Sequence, residues 1–558
     1  MLSKNFWVAL VLFTILVAFP ILSNPFSYKY GPNLHGGGSD SYSLLKEFAM
    51  RADPDLKPFV VDGKNMLEAF PHGMKLAPLL DFPTLFALSI AKITHSAVFG
   101  YNCSVILSFV LMFLFSYLFL KKRIQNETIR FLFAFLLSYT PYQILQSVDH
   151  LTLSYLFLFP ALFYFWENLL EQKQFFTNLL IIVVIQGLSV YFHPYYFVMI
   201  LLMNLLFVLF YIRTVFSLGR SHFSIKNLLI FIAVSTVMIL SVIWWKRSFE
   251  QASGMQFSSI KRGVSDYFNF GTRLSDFYLP PTYSFLFEGM KDLKLSDTSS
   301  HFSNIAENTL YAGVLHLGLA LFYLIAVLTK KSKTAHFKFL VILILAPLLL
   351  SLPPEVKVFS FSLPTPSALY PLLLPTFRTL SRFGVITTLG LITMSACAFE
   401  MIYQKTKSPQ LKNGLVIFIF IFTLLETGNI HKLFFSDTSN VPVVYEQLKH
   451  LPVQPGKSVL EIPNVWGYVN TYWATYHHKP MFNTFESASP NFKALGALRI
   501  KSVEDLLNFA RENNIEYIIY HSDKKADWLS NPIVNEYNET MIFYETARYS
   551  YLLKVPPQ

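Results

Sequence analysis

Lysine and arginine recur in every second gap between the long apolar runs of this chain, and that alternation constrains the fold more than any other feature. The clusters stand at Lys121-Lys122-Arg123, at Lys173, at Arg213, Arg220 and Lys226, at Lys330, Lys331, Lys333 and Lys338, and at Lys405, Lys407 and Lys412. Cytoplasmic connections of a polytopic membrane protein are enriched in these residues. The pattern predicts a bundle of membrane-spanning helices whose other connections face outward, and those connections hold nearly all the residues able to do chemistry. Hydrophobic residues make up 53% of the chain and charged residues 14%, against about 25% charged in soluble domains. The net charge of +11 sits in short loops, so topology explains it and a nucleic-acid partner is not implied.

Eleven runs have the length of a crossing: 6–22, 98–120, 129–147, 151–166, 178–192, 194–212, 227–245, 309–329, 337–352, 383–403 and 414–430. At 1.5 Å per residue the first covers about 25 Å. It exceeds a usual signal-peptide core and lacks a small-x-small cleavage site, so it reads as a retained span. A further run, 79–94, would invert the side of every later basic cluster if it crossed. It carries Asp81, Pro83 and Lys92 and reads as a helix lying along or dipping into the outer surface. Eleven crossings place the N-terminus inside and the C-terminus outside.

Three outward segments are large: 23–97, 246–308 and the tail 431–558. Residues 1–430 therefore read as a transmembrane domain with two large outer loops. In the tail, hydrophobicity drops and a small α/β domain outside the membrane is expected. Residues 443–450 and 503–513 have helical patterning, the second with Ser502 as its N-cap and a Glu in its first turn. Residues 458–462, 515–520, 540–544 and 550–555 read as short strands. Cys103 and Cys397 both lie in apolar segments, which argues against a disulfide framework or a Cys-based zinc site.

Chemistry-bearing residues gather at outer boundaries. Gly36-Gly37-Gly38-Ser39-Asp40-Ser41-Tyr42 opens a helical stretch, and Asp40 fits a plain N-cap as well as a presented base. Asp149-His150 and His193-Pro194 each close a span on the outer side. Ionisable residues at such depths tend to face protein or a cavity, although hydrated headgroup-level positions also account for them. Together with Asp40 they offer ligands for a divalent metal, but no spacing rule demands one and the metal reading is not favoured. Arg378 and Arg382 lie four apart at the outer start of the span 383–403, on one helical face. They either snorkel or grip a phosphate, whose oxygens suit guanidinium forks. Arg262, with Lys261, is a weaker candidate for the same task. In the tail, His477-His478 follow an aromatic run from Trp466 to Tyr476; adjacent histidines point apart and rarely chelate together.

Taken together these features resemble the GT-C superfamily of membrane glycosyltransferases, in particular a large bacterial branch. The resemblance rests on Ser39-Asp40 in the first loop, Pro71-His72-Gly73, Asp149-His150 before a span reaching Pro160, and Arg378 to Phe383 entering a late span. In the tail it rests on Leu460-Glu461-Ile462-Pro463 and His478-Lys479-Pro480 through Asn483. The motifs are short and spread over most of the chain. Asp40 is flanked by serines, not by a second acid, which departs from members with an acidic-pair metal site.

The resemblance implies a multi-pass protein of the bacterial inner membrane that takes a sugar from a polyprenyl-phosphate-linked donor. The acceptor would be an extracytoplasmic glycan, lipid or protein. Asp40 would act as general base for inverting attack, Arg378 and Arg382 would stabilise the departing lipid phosphate, and Asp149 and His150 would orient a substrate. The competing expectation is a non-enzymatic membrane protein, a lipid-linked glycan flippase, a transporter or an assembly factor. Such proteins place ionisable residues near the bilayer midplane or on both leaflets. The sequence concentrates them at the outer rim.

Overall fold

The computed structural model describes residues 3–26, 28–30, 40–76, 79–171, 173–222, 224–253, 263–280, 286, 307, 309–330, 335–358, 361–427, 435–439, 441–462, 467–484, 489–498, 502–522, 534–537 and 549–556. Among these, five helices are long and apolar enough to cross a membrane: Ala97–Leu120, Leu151–Leu170, Ile225–Gln251, Ser381–Lys405 and Pro409–Thr427. Pro194–Phe210 makes a sixth if it is counted with Ile212–Gly219, from which it is bent by 85°. Lys4–Ala18, Phe82–Thr94, Phe175–Tyr191, Val314–Thr329 and His336–Ser351 are apolar but shorter.

Length and composition therefore do not reach the expected eleven crossings, for reasons that the hydropathy of a run does not register. Run 129–147 is two helices, Glu127–Ser138 and Pro141–Asp149. Pro141 cannot donate to the preceding turn, and Thr140 caps the second helix by accepting the Gln143 N–H at 3.3 Å. Run 309–329 becomes helical only at Val314. Residues 309–313 are buried without regular structure, a state tolerated in a membrane bundle only where protein satisfies the backbone. Thr388 Oγ1 donates to Leu310 O at 2.7 Å, and the Ala312 N–H donates to Phe277 O at 3.1 Å. Glu426 accepts from the Val314 N–H at 2.6 Å and from the Tyr311 hydroxyl at 2.5 Å.

The helix Ser381–Lys405 forms the axis of the bundle. From Ser381 to Glu400 all of its residues but Leu391 are buried, as expected of a helix surrounded by others. Val314–Lys330, Ala335–Ser351 and Glu127–Ser138 pack around it. By contrast Leu229, Ile232, Val237, Ile239 and Leu240 of Ile225–Ser253 are exposed and form an apolar outer wall.

The ambiguous run 79–94 is the helix Phe82–Thr94, 13 residues and too short to cross. Asp81 caps it by accepting the Thr84 N–H at 2.9 Å. His95, in the left-handed region, turns the chain back into Ala97–Leu120. The two helices then run antiparallel at close range: Ser104 Oγ donates to Pro83 O at 3.0 Å. A Cβ on Gly100 would fall 2.3 Å from Ala87 O, so this approach needs glycine. Phe82, Leu85 and Ile93 remain exposed on the far side.

The tail holds helices Val443–His450, Gly467–His477, Pro490–Ala497 and Val503–Glu512. Ser502 caps the last by accepting the Asp505 N–H at 3.1 Å. Its sheet runs Val534–Tyr537, Tyr549–Lys554, Ile515–Ser522, Ser458–Ile462, with only the last pair parallel. Residues 540–544 lie outside the described residues. The tail is stitched to the segment between the first two long apolar runs. Tyr28–Tyr30 pairs antiparallel with Phe435–Asp437, and Ala69, Phe70 and Leu67 exchange backbone hydrogen bonds of 3.0–3.1 Å with Asn483 and Met481. The helix Asp40–Ala52 packs on Gly467–His477, with Tyr42 and Tyr472 ring centroids 5.4 Å apart.

Candidate functional site

The N-terminal start of the axial helix carries a buried charge. Arg382 is 7% exposed, and its guanidinium grips Glu307 through two hydrogen bonds, Nε to Oε2 at 2.9 Å and Nη2 to Oε1. The Tyr195 ring lies 4.1 Å from the guanidinium carbon, and among the described residues Nη1 has no hydrogen-bond partner of good geometry. Burial alone would raise the Glu307 carboxyl. Arg382, with His150 and Arg378 behind it, outweighs burial and holds that carboxyl below its usual range.

Local sequence explains how distant segments meet here. A Cβ on Gly384 would lie 2.3 Å from Leu310 Cδ1 and 3.1 Å from Thr272 Oγ1. Glycine thus lets the segments around 272 and 310 close on the helix start and brings Glu307 with them. The Ser381 N–H donates to Phe270 O at 2.9 Å. Pro141 and Pro194, each at the first position of a helix, start the two further elements that reach the site.

Those elements supply aromatics and imidazoles. His150 ends Pro141–Asp149, donating its N–H to Gln146 O at 2.9 Å, and lies within electrostatic reach of Glu307 and His193. His193 caps Pro194–Phe210: its Nδ1 accepts the Tyr195 N–H at 3.1 Å, which leaves Nε2 to carry the proton of the neutral ring. Burial first, then Arg382 and His150, hold His193 well below the ordinary histidine range. The Arg378 N–H donates to the Tyr195 hydroxyl at 3.4 Å, and the Arg378 guanidinium lies 5.0 Å from the Phe270 ring. Buried Tyr142 and Tyr196 complete the wall beside Arg382.

Four residues singled out from the sequence, His150, His193, Arg378 and Arg382, thus converge on one centre. The side chains of Asp40 and Asp149, and the whole of Arg262, lie outside the described residues. Asp40 is the first residue of Asp40–Ala52, a helix that packs against Pro141–Asp149. Sequence reasoning missed Glu307. Its signal was the demand for a counter-charge: an arginine at a span boundary calls for a carboxylate at another boundary on the same side. Among the described residues no three of His, Cys, Asp and Glu gather as metal ligands.

One expectation is corrected. Ionisable residues are not confined to the outer rim. His316 bridges Ser395 Oγ and Thr423 Oγ1, both at 3.0 Å, inside the bundle near Glu426. At the opposite end of the axial helix from Arg382, buried Glu400 accepts the Gln125 and Asn126 N–H groups at 2.6 and 2.9 Å. Arg123 and Glu167 form a buried pair at that end as well. The two tail histidines part as expected: His477 is buried with its ring 5.9 Å from Tyr445, and His478 lies 5.7 Å from Phe59.

Comparison with known proteins adds a family. Residues 82–425, more than half of the chain, match the model of a family described as a domain of unknown function (DUF6311). That stretch contains His150, His193, Glu307, Arg378 and Arg382 and leaves out Asp40 and the tail. No curated protein matches the chain. Among solved structures, the oligosaccharyltransferase AglB of Archaeoglobus fulgidus with an inhibitory peptide and a dolichol-phosphate is 12% identical, covering 93% of this chain and 70% of that one, at a TM-score of 0.48. The apo form of the Archaeoglobus fulgidus oligosaccharyltransferase is 10% identical with the same coverages and TM-score. The form tethered to an acceptor peptide containing the NVT sequon is 11% identical, covering 93% and 69%, again at 0.48.

Proposed function

Since this chain belongs to the DUF6311 family, whose description assigns no activity, we propose a function from its own residues: a membrane glycosyltransferase that moves a sugar from a polyprenyl-phosphate-linked donor to an extracytoplasmic glycan, lipid or protein. The observation that carries the reading is the buried Arg382, fixed by Glu307 and Tyr195, with Nη1 unpartnered among the described residues and Arg378, His150 and His193 around it. A rigid, desolvated guanidinium suits a lipid phosphate whose charge grows as the sugar leaves. Arg378 adds a second positive charge, and neutral His193 offers an Nε2–H donor.

In this reading Asp40 takes the proton of the acceptor as the acceptor attacks the anomeric carbon, with inversion, and the lipid phosphate departs toward Arg382. Asp149 and His150 orient the substrates, and Arg262 assists at the rim. The packing of Asp40–Ala52 against Pro141–Asp149 supports placing Asp40 near this centre. The shorter apolar helices other than Phe82–Thr94, and the broken run 129–147, are taken to cross as well, giving about eleven spans, a cytoplasmic N-terminus and an extracytoplasmic α/β tail, in a bacterial inner membrane.

The test is transfer of labelled sugar from a panel of polyprenyl-phosphate sugars by membranes holding wild type or Asp40→Asn at equal level. A base contributes about 10²–10⁴ in rate, so the variant is expected to lose that much. Unchanged transfer in the variant returns Asp40 to a helix cap. A second reading, a flippase or transporter of lipid-linked glycan, draws on His316, Glu426 and the Arg123–Glu167 pair inside the bundle. Absence of transfer from every donor, together with donor movement across vesicles, would favour it.

A further inference from the structure

Three cations at the basic end of the bundle are neutralised by carboxylates of the protein itself. Arg123 pairs with buried Glu167, its guanidinium 4.1 Å from the Phe119 ring and 5.5 Å from that of Phe339. Lys122 and Lys173 both bond Glu171, at 2.8 and 2.9 Å. Two cations differ. Among the described residues neither Lys338 nor Arg213 has a carboxylate partner, and both are exposed.

These two flank the 85° bend between Pro194–Phe210 and Ile212–Gly219. Lys338 is held at the corner: its Nζ donates to Phe210 O at 3.1 Å and lies 4.6 Å from the Tyr211 ring centre. Beyond the bend Leu218 is buried in the core and Val215 packs against it, while Arg213 and Thr214 are exposed. Before the bend Leu205, Leu209 and Phe210 are exposed, and the apolar strip continues into Ile212.

An apolar strip ending in two uncompensated cations and a tyrosine has the profile of a phospholipid, with acyl chains along the strip and the headgroup phosphate at the corner. Inorganic phosphate has no use for the strip. We propose that this corner binds an anionic phospholipid of the leaflet on the basic-loop side. The inference stands apart from the transfer reading, because it uses none of that site's residues.

The probe is phosphatidylglycerol, at a small share of neutral phosphatidylcholine nanodiscs holding the full chain, with retained lipid read by native mass spectrometry. Each basic residue near an anionic headgroup changes partition about fivefold. The double variant Arg213→Gln, Lys338→Gln is therefore expected to retain phosphatidylglycerol roughly 30-fold less, with its thermal midpoint in neutral lipid unchanged. The charge-keeping pair Arg213→Lys, Lys338→Arg should retain it, as should Lys412→Gln, a cation 4.9 Å from the Tyr403 ring in another loop. Undiminished retention in the first double variant overturns the proposal. So does an equal loss in Lys412→Gln, a loss in the charge-keeping pair, or displacement of the lipid by millimolar inorganic phosphate.

Discussion

At the scale of single residues, the Arg382–Glu307 pair concentrates the energetics of the site. Removing one partner of a buried ion pair strands a charge and costs about 3–5 kcal/mol. Glu307→Gln should lower the thermal midpoint of the purified protein by several degrees; an unchanged midpoint would mean that water reaches Arg382. A second residue gives a pH dependence. Burial first, then Lys479 and His478, hold His477 down at about 3. The unfolded chain protonates this ring near 6.5, whereas the folded chain keeps it neutral. Stability therefore falls as pH drops below about 6.5, by about 1.4 kcal/mol per unit from this group, until about 3. His477→Gln should flatten the midpoint-versus-pH curve between pH 6.5 and 5 by that increment, and parallel curves would contradict it. Arg378, Arg382, His150 and His193 were legible as individual residues because ionisable groups at span boundaries are rare. Glu307 was not, because its role is defined only by a partner 75 residues away in sequence.

At the scale of elements, close approaches explain what hydropathy leaves ambiguous. A crossing at 79–94 conflicted with the basic clusters, and the structure has instead a short helix folded back on Ala97–Leu120 across Gly100. Adding a Cβ at Gly100 drives it into the Ala87 carbonyl, so Gly100→Ala should cost about 1–3 kcal/mol. Gly318, in Val314–Lys330, has open space where its Cβ would go, and Gly318→Ala should be neutral or slightly stabilising. Thermal midpoints of the two variants in one detergent decide this; equal effects would contradict the close approach. Tail elements with a cap or a short β-branched or aromatic run were readable to within a residue or two, as at Ser502 and at Ser458–Ile462. The breaks at Thr140-Pro141 and at 309–313 were not read, since an apolar run looks alike whether or not its backbone stays helical. Pro141 was the available sign.

At the scale of the whole molecule, the chain joins an axial helix charged at both ends to an assembly in which the segment 28–70 and the tail are hydrogen-bonded together. That union left no local pattern in the sequence: the bonds between residues 67–70 and 481–483 link segments some four hundred residues apart. The central claim is that Arg382 serves phosphate chemistry and not the bundle alone. Replacing both members of a buried pair by apolar residues of similar size is often neutral for stability, so a purely structural pair can be exchanged without loss of activity. The most direct measurement is sugar transfer from the polyprenyl-phosphate donor by the double variant Arg382→Met, Glu307→Leu, with its thermal midpoint taken alongside. The account predicts a folded protein near the wild-type midpoint whose transfer is down by about 10²–10³-fold. A folded double variant transferring sugar at the wild-type rate would contradict it.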